Sequence, residues 1–299
     1  MPLPLSYPGL RCVLEHLEAV KRAHIIGRAP GLQKVDKSIP LCLESLSIDI
    51  NEITFNNLII FCDKDGIKFE MNWNTFKRQK LEGELEKMKK FTNFYICGRS
   101  TIRVDKFVWV HSLFSEDLAV DVKLSVNSLS AFFRGDFETA RSFIDARSFP
   151  LKTLSTYPDT SNLDSQVVKT AETLILYLID RTVTVEHLEK LNNKTVVFKY
   201  CTSSRVDMVP LIKYHIETKK DIRTTFVNST CNKRFISDML LKFEQAFGEY
   251  RSDLDGVNER FIPRLSKFSI PINDDSRIHV YAIKYEGLNK MILKPVSGL

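Results

Sequence analysis

The sequence predicts an α+β fold, a short helical N-terminus followed by a larger mixed α/β domain, and three features point to it. Over the first forty positions apolar residues recur at spacings of three and four, the period of a helix. After Lys37 the period changes to alternation, the mark of strands with one buried face. Beyond Phe91 short apolar strands alternate with amphipathic helical stretches.

The N-terminal stripe is Tyr7, Leu10, Val13, Leu14 and Leu17, with Arg11, Glu15 and Glu18 on the other face. Ser6 is the expected N-cap, and Pro8 fits the first turn, where its missing N–H would be unpaired anyway. A second apolar set at Ala23, Ile25 and Ile26 ends at Ala29-Pro30-Gly31, followed by Leu32 and Val35. A hairpin this short cannot bury both faces alone, so its stripe must meet the rest of the chain or a partner. The Ser38-Ile39-Pro40 junction ends the helical segment, since a residue before proline favours extended backbone. That placement predicts two separable parts, 1–40 and 41–299, with a fragment from Pro40 expected to fold by itself.

Leu41, Leu43, Leu46, Ile48 and Ile50 lead through Asn51-Glu52 to Ile53, Phe55 and Leu58 to Phe61, which reads as a β-hairpin. Asp63-Lys64-Asp65-Gly66 is a turn signal feeding Ile67, Phe69, Met71 and Trp73. Residues 76–90 are highly charged and read as a solvated helix or linker. Glu86 and Lys90 are spaced as a helical pair there, while Gly83 weakens a helix by about 1 kcal/mol relative to Ala.

Candidate strands begin near Val122, Leu151, Leu174, Val196 and Thr224, separated by about 29, 23, 22 and 28 residues, the range of leucine-rich-type repeats. Helices fit the gaps. Asp136 caps one carrying Phe137, Ala140 and Ile144; Val185, Leu188 and Leu191 mark a second, stopped by Asn192-Asn193; Val209 to Ile216 begins a third. The leucine-rich consensus with its regular Asn is missing, so the units are irregular and only leucine-rich-like. Phe235, Met239, Leu240, Phe243 and Phe247 line a further helix ending near Gly248. Strands at 265–270, 278–285 and 291–296 follow, and a terminal hairpin of this kind caps an otherwise open sheet edge.

Composition excludes several classes. With 43% apolar residues the chain is globular, and its longest apolar run, Leu174 to Ile179, is far below the roughly 20 residues of a membrane span. Prolines at positions 2, 4 and 8 and no apolar stretch behind a basic start argue against a signal peptide. The six cysteines lie far apart with no CxxC pair, which suits reduced thiols in an intracellular protein of the cytoplasm or nucleus. In that setting the acceptor patterns Asn193-Lys194-Thr195 and Asn228-Ser229-Thr230 are chance matches.

Nothing in the sequence points to an enzyme, a cofactor or a metal. There is no GxSxG, P-loop, GxGxxG or HExxH pattern. The two His-Leu-Glu triplets, His16 to Glu18 and His187 to Glu189, read as solvated helix faces. Asp253-Leu254-Asp255-Gly256 reads as a turn, because an EF-hand needs its Gly two positions later and a Glu at the twelfth. His111 and His215 sit in apolar stretches, as structural histidines do.

The opening "PLSYPGLRCVLEHLEAVKRAHIIGRAPGLQKVDKSIPL" resembles a large nematode-expanded family that pairs an F-box-like start with a domain of unknown function. Gly98-Arg99-Ser100 with Ile102 and Val104, "VNSLS" at 126–130, "RSFPLKTL" at 147–154 and "LIKYHIETKKDIRTTF" at 211–226 are similar to it as well. The resemblance implies a non-catalytic substrate receptor: an F-box-like segment at 1–40 binding the Skp adaptor of a cullin ubiquitin ligase, and a recognition domain at 41–299 for an unknown protein substrate. It also implies adaptor contacts from the apolar residues of that segment: Leu5, Tyr7, Leu10, Val13, Leu14, Leu17, Ile25 and Leu32. Two alternatives stand beside it. One is a scaffold without ligase contact. The other is a nucleic-acid binder using Lys77, Arg78, Lys80, Lys87, Lys89 and Lys90 with the aromatics Phe91, Phe94 and Tyr95, although Glu82, Glu84 and Glu86 cancel much of that field.

Overall fold

The computed structural model describes residues 7–49, 51–63, 66–71, 74–78, 92–110, 122–132, 135–179, 181–199 and 206–297. The chain is mixed α/β and rich in sheet, and it divides into two compact units, Met1–Phe149 and Pro150–Leu299. The N-terminal helices fall inside the first of these units.

The first unit opens with α1 (Tyr7–His16), α2 (Ala19–Arg28) and α3 (Gln33–Lys37). Glu18 starts α2: its Oε2 accepts from the backbone N–H of Val20 at 2.9 Å and Lys21 at 3.1 Å, two donors that otherwise lack helical partners. Seven strands follow: β1 (Leu41–Ile48), β2 (Glu52–Phe55), β3 (Leu58–Asp63), β4 (Gly66–Met71), β5 (Asn74–Arg78), β6 (Ile102–Trp109) and β7 (Leu124–Ala131), then α4 (Asp136–Ser142). Their order is β7-β6-β1-β2-β3-β4-β5, with β7, β6 and β1 parallel and β1 through β5 an antiparallel meander. The hairpin expected over 41–61 is thus three strands, because Asn56 adopts a left-handed φ of 52° and turns the chain between Phe55 and Leu58. The stretch expected to be a charged helix or linker begins as β5; residues 79–90 lie outside the described ones. Strand β6 had no separate signal. Asp136 sits in the first turn of α4 and does not cap it; the capping position is Gly135, at φ 90°.

The three parallel strands share one irregularity. Leu41 and Leu43 point inward, then Leu46 and Ile48; β6 does the same with Ile102, Val104, Phe107 and Trp109, and β7 with Leu124, Val126, Leu129 and Ala131. A step of three replaces a step of two, and the ladder is interrupted at Glu44, Asp105 and Asn127, one residue per strand at one register. Polar side chains fill the interruption. Asn127 Nδ2 donates to Asp105 Oδ1 at 2.9 Å, and Asn56 Oδ1 accepts from the N–H of Glu44 at 2.9 Å and Ser45 at 3.2 Å. Asn56 Nδ2 in turn donates to Glu18 Oε1 at 2.6 Å, linking the kinked sheet to the cap of α2.

The helical segment is fastened by buried charge. Asp36, 3% exposed, lies 2.8 Å from Arg22 Nε and 2.5 Å from Arg99 Nη2. The remaining guanidinium donors find carbonyls: Arg99 gives to Asp36 O and Tyr95 O at 2.9 Å, and Arg22 to Pro40 O at 3.3 Å. Lys37 Nζ donates to Asn93 O and Phe94 O at 2.9 Å and to Cys97 O. Burial holds the Lys37 amine below and the Cys97 thiol above their ordinary ranges, each moderated by the other's charge. Leu14, Ile26 and Ile39 form a small core with Leu10, Leu17, Leu32, Val35 and Phe94.

The second unit contains β8 (Thr153–Thr156), α5 (Thr160–Leu163), α6 (Gln166–Thr170), β9 (Thr173–Tyr177), α7 (Val185–Leu188), β10 (Thr195–Lys199), α8 (Val209–Thr218), β11 (Thr225–Thr230), α9 (Lys233–Phe247), β12 (Phe268–Pro271), β13 (Ser276–Tyr285) and β14 (Leu288–Ser297). Its order is β12-β13-β14-β11-β10-β9-β8. Strands β8 to β11 are parallel and neighbour one another in chain order, each starting within two residues of the expected position. β14 pairs antiparallel with β11, so the terminal hairpin closes that edge as expected. One buried asparagine, Asn193, nevertheless ties two of these strand-helix units together. Fully buried, it donates from Nδ2 to Val168 O and Ala171 O, both at 2.7 Å, tying the turn before β10 to the crossover before β9.

Two stability predictions follow from these buried groups. Asp36→Ala leaves two buried guanidinium groups without their carboxylate and should cost about 3–5 kcal/mol, whereas Glu15→Ala, which breaks the exposed pair with Arg11, should cost under about 0.5 kcal/mol; chemical denaturation distinguishes them. Asn193→Asp turns two donated bonds into a buried carboxylate facing two carbonyl oxygens, and the melting temperature should fall by ten degrees or more, on the order of 3 kcal/mol.

Candidate functional site

Crossovers cover one face of the sheet in the second unit. Leu154, Leu174, Val196 and Phe226 share one register row on it, followed by Leu293, Val280 and Phe268, all buried. Helix α9 packs there through Phe235, Met239, Leu240, Phe243 and Phe247, and the rings of Phe243 and Phe268 lie 6.1 Å apart.

The other face shows three rows. One is polar: Thr153, Thr173, Thr195 and Thr225 stand in register, each partly exposed. The next is apolar, running Ile175, Val197, Val227, Ile292 and Tyr281 across five strands. The third runs Tyr177, Lys199, Ser229, Lys290 and Ile283. Phe261 covers one end of the apolar row, its ring edge-on to Tyr281 at 5.4 Å; burial there, with Glu259 close by, pushes the Tyr281 hydroxyl up to about 12. Lys199 lies over the Tyr177 ring at 5.5 Å and Lys290 over the Tyr285 ring at 4.1 Å. Lys294 and His279 are cross-strand partners on this face, and Arg277 donates to Ser269 Oγ and O at 2.9 Å. Partial burial, then Arg277 and Lys294, hold His279 below the usual imidazole range.

The residues expected to contact an adaptor are split by the fold. Leu14 is buried; Leu10, Leu17 and Leu32 are partly buried against it. Val13 and Ile25 stand out at 44% and 40% exposure. Leu5 lies outside the described residues, and Tyr7 begins α1. The sequence placed Tyr7, Leu10, Val13, Leu14 and Leu17 on one apolar stripe, but the hairpin spends Leu14 on its own core.

The expected nucleic-acid surface is drawn on differently. Phe94 belongs to the Leu14 cluster, and the Tyr95 ring stacks on Phe55 at 4.6 Å, buried enough, with Glu18 nearby, to push its hydroxyl up to about 12. Neither ring is free to stack on a base. Residues 79–91 lie outside the described ones. The histidines serve local structure: His215 Nδ1 donates to Lys220 O at 2.8 Å, His16 Nδ1 to Cys12 O at 2.8 Å, and His187 completes a capping box with Thr184. His111 lies outside the described residues. Among the described residues no group of three or more His, Cys, Asp or Glu is arranged to hold a metal ion, and no helix is long and apolar enough to cross a membrane. Asn193 and Asn228 are both fully buried, so neither acceptor pattern offers its amide in the folded chain.

The fold is that of a mixed α/β protein with a partly open, cation-bearing sheet face. Residues 85–232, just under half the chain, match the model of a family described as a domain of unknown function (DUF3557). The match takes in parts of both compact units and leaves the segment 1–40 outside it. No curated protein and no solved structure matches the chain.

One-sided packing predicts unequal costs for neighbouring residues of β10. Phe198→Ala, on the covered face, should cost roughly 3–5 kcal/mol, and Val197→Ala, on the open face, about 1 kcal/mol or less; equal losses in urea unfolding would mean that both faces are packed.

Proposed function

We propose that this chain is a non-catalytic protein-binding adaptor, the substrate receptor of a Skp/cullin/F-box ubiquitin ligase acting in the cytoplasm or nucleus. The F-box-like helices α1 to α3 engage the Skp adaptor, and leucine-rich-like strand-helix units of the second unit present the substrate-binding face. Such a receptor performs no chemistry; it contributes proximity and orientation to a reaction carried out by other subunits. The observation that carries the reading is the pair Val13 and Ile25, two large apolar side chains left exposed on successive helices whose Leu10, Leu14 and Ile26 are committed to a core. Free thiols at Cys12, Cys42, Cys97 and Cys231 suit the reducing compartment.

The test is co-purification with a Skp-type adaptor. Val13→Asp with Ile25→Asp is expected to abolish adaptor capture while leaving the thermal transition in place, because a charge at a desolvated contact lacks a partner. Leu14→Asp should instead unfold the segment, since it places that charge in the core. Capture of adaptor by the double variant at wild-type yield would refute the reading.

A further inference from the structure

The seven strands of the second unit, β8 to β14, contain no Asp or Glu at all. Their open face nevertheless carries Lys199, Arg277, His279, Lys290 and Lys294. Strands of the first unit show no such bias: Glu44, Glu52, Asp63, Glu70 and Asp105 all lie within them. Of the carboxylates bordering the open face, Glu172 and Asp221 are engaged, while Glu259 stands exposed near Tyr281. Glu172 pairs with Lys194 at 3.2 Å, and Asp221 accepts from Ser276 Oγ and Asn273 Nδ2 at 2.7 Å. Lys199 and Lys290 have aromatic rings beneath them and no carboxylate paired with them among the described residues, and they border the row Ile175, Val197, Val227 and Ile292.

We infer that this face is a docking surface for an acidic, extended segment of a partner protein, whose apolar side chains lie along the Ile175–Ile292 row while its carboxylates meet Lys199 and Lys290. The inference names a substrate class for the receptor reading and rests on it for the word substrate; the contact itself rests on the sheet alone. At about 4.8 Å between neighbouring strands, the four-strand row from Ile175 to Ile292 spans roughly 14 Å, the length of about four extended residues. Apolar contact supplies affinity, and the one-signed border selects acidic segments over neutral or basic ones.

The experiment measures binding of labelled ten-residue peptides to the purified full chain, without adaptor. One peptide alternates Glu with Leu and Phe, one has Gln in place of Glu, one has Lys, and a single-stranded ten-nucleotide RNA is the fourth probe. The Glu peptide is expected to bind at least tenfold more tightly than the other three and to weaken about tenfold between roughly 0.05 and 0.5 M salt. Lys199→Glu with Lys290→Glu should remove that preference, and the milder Lys199→Gln with Lys290→Gln should reduce it with an unchanged melt. Equal binding of Glu and Gln peptides, tighter binding of the RNA, or a preference that survives both double variants would overturn the proposal. Because no adaptor is present, failure here leaves the adaptor contact standing, and loss of adaptor capture leaves this result standing.

Discussion

The second unit depends on the direction in which its parallel strands advance. β8, β9, β10 and β11 neighbour one another in chain order, and a parallel crossover is right-handed in nearly every protein. Without a reversal of strand order, successive right-handed crossovers must all pass on the same side. Helices therefore cover the side that carries Leu174, Val196 and Phe226, all buried, while Ile175, Val197 and Val227 on the other side stay partly exposed. A doubly wound sheet would have buried both. The partly exposed apolar row is a consequence of topology, and the cations beside it keep such a surface hydrated when nothing is bound.

Much of this was legible in the sequence. The sequence located β8 to β11 to within two residues, because each has one covered face and a period of two is unambiguous there, while β12 and β14 begin three residues from the expected positions. The helix with Phe235, Met239, Leu240, Phe243 and Phe247 was legible for the same reason. The kinked strands were harder: in β6 the inward residues shift phase between Val104 and Phe107, which erases the alternation over the length of the strand. In the N-terminal hairpin the apolar period identified a covered face but not the cover. Leu14 and Val13 are adjacent in sequence and both apolar, and packing against Ile26, Ile39 and, through the docking of residues 92–99, Phe94 makes one core and the other surface.

That docking rests on Asp36, which meets Arg99 across 63 positions of sequence. Desolvating three charges is costly, and apolar residues of similar size would serve stability as well. What the triad adds is geometry. A guanidinium fork accepts few orientations, so the position of the helical segment on the first unit is specified by hydrogen bonds to Asp36, Tyr95 and Pro40 as well as by packing. Lys37, reaching the carbonyls of Asn93, Phe94 and Cys97, fixes the same orientation at a second point.

The interruption at Glu44, Asp105 and Asn127 has a bearing on how this protein tolerates change in length. A deletion of one residue in β6 would restore regular alternation in that strand alone and slip Phe107 and Trp109 by one residue against Leu46, Ile48, Leu129 and Ala131, whose strands keep the kink. Only simultaneous shortening of all three strands would preserve the match. Insertions and deletions are consequently confined to the connections, and the three strands can vary only as a set.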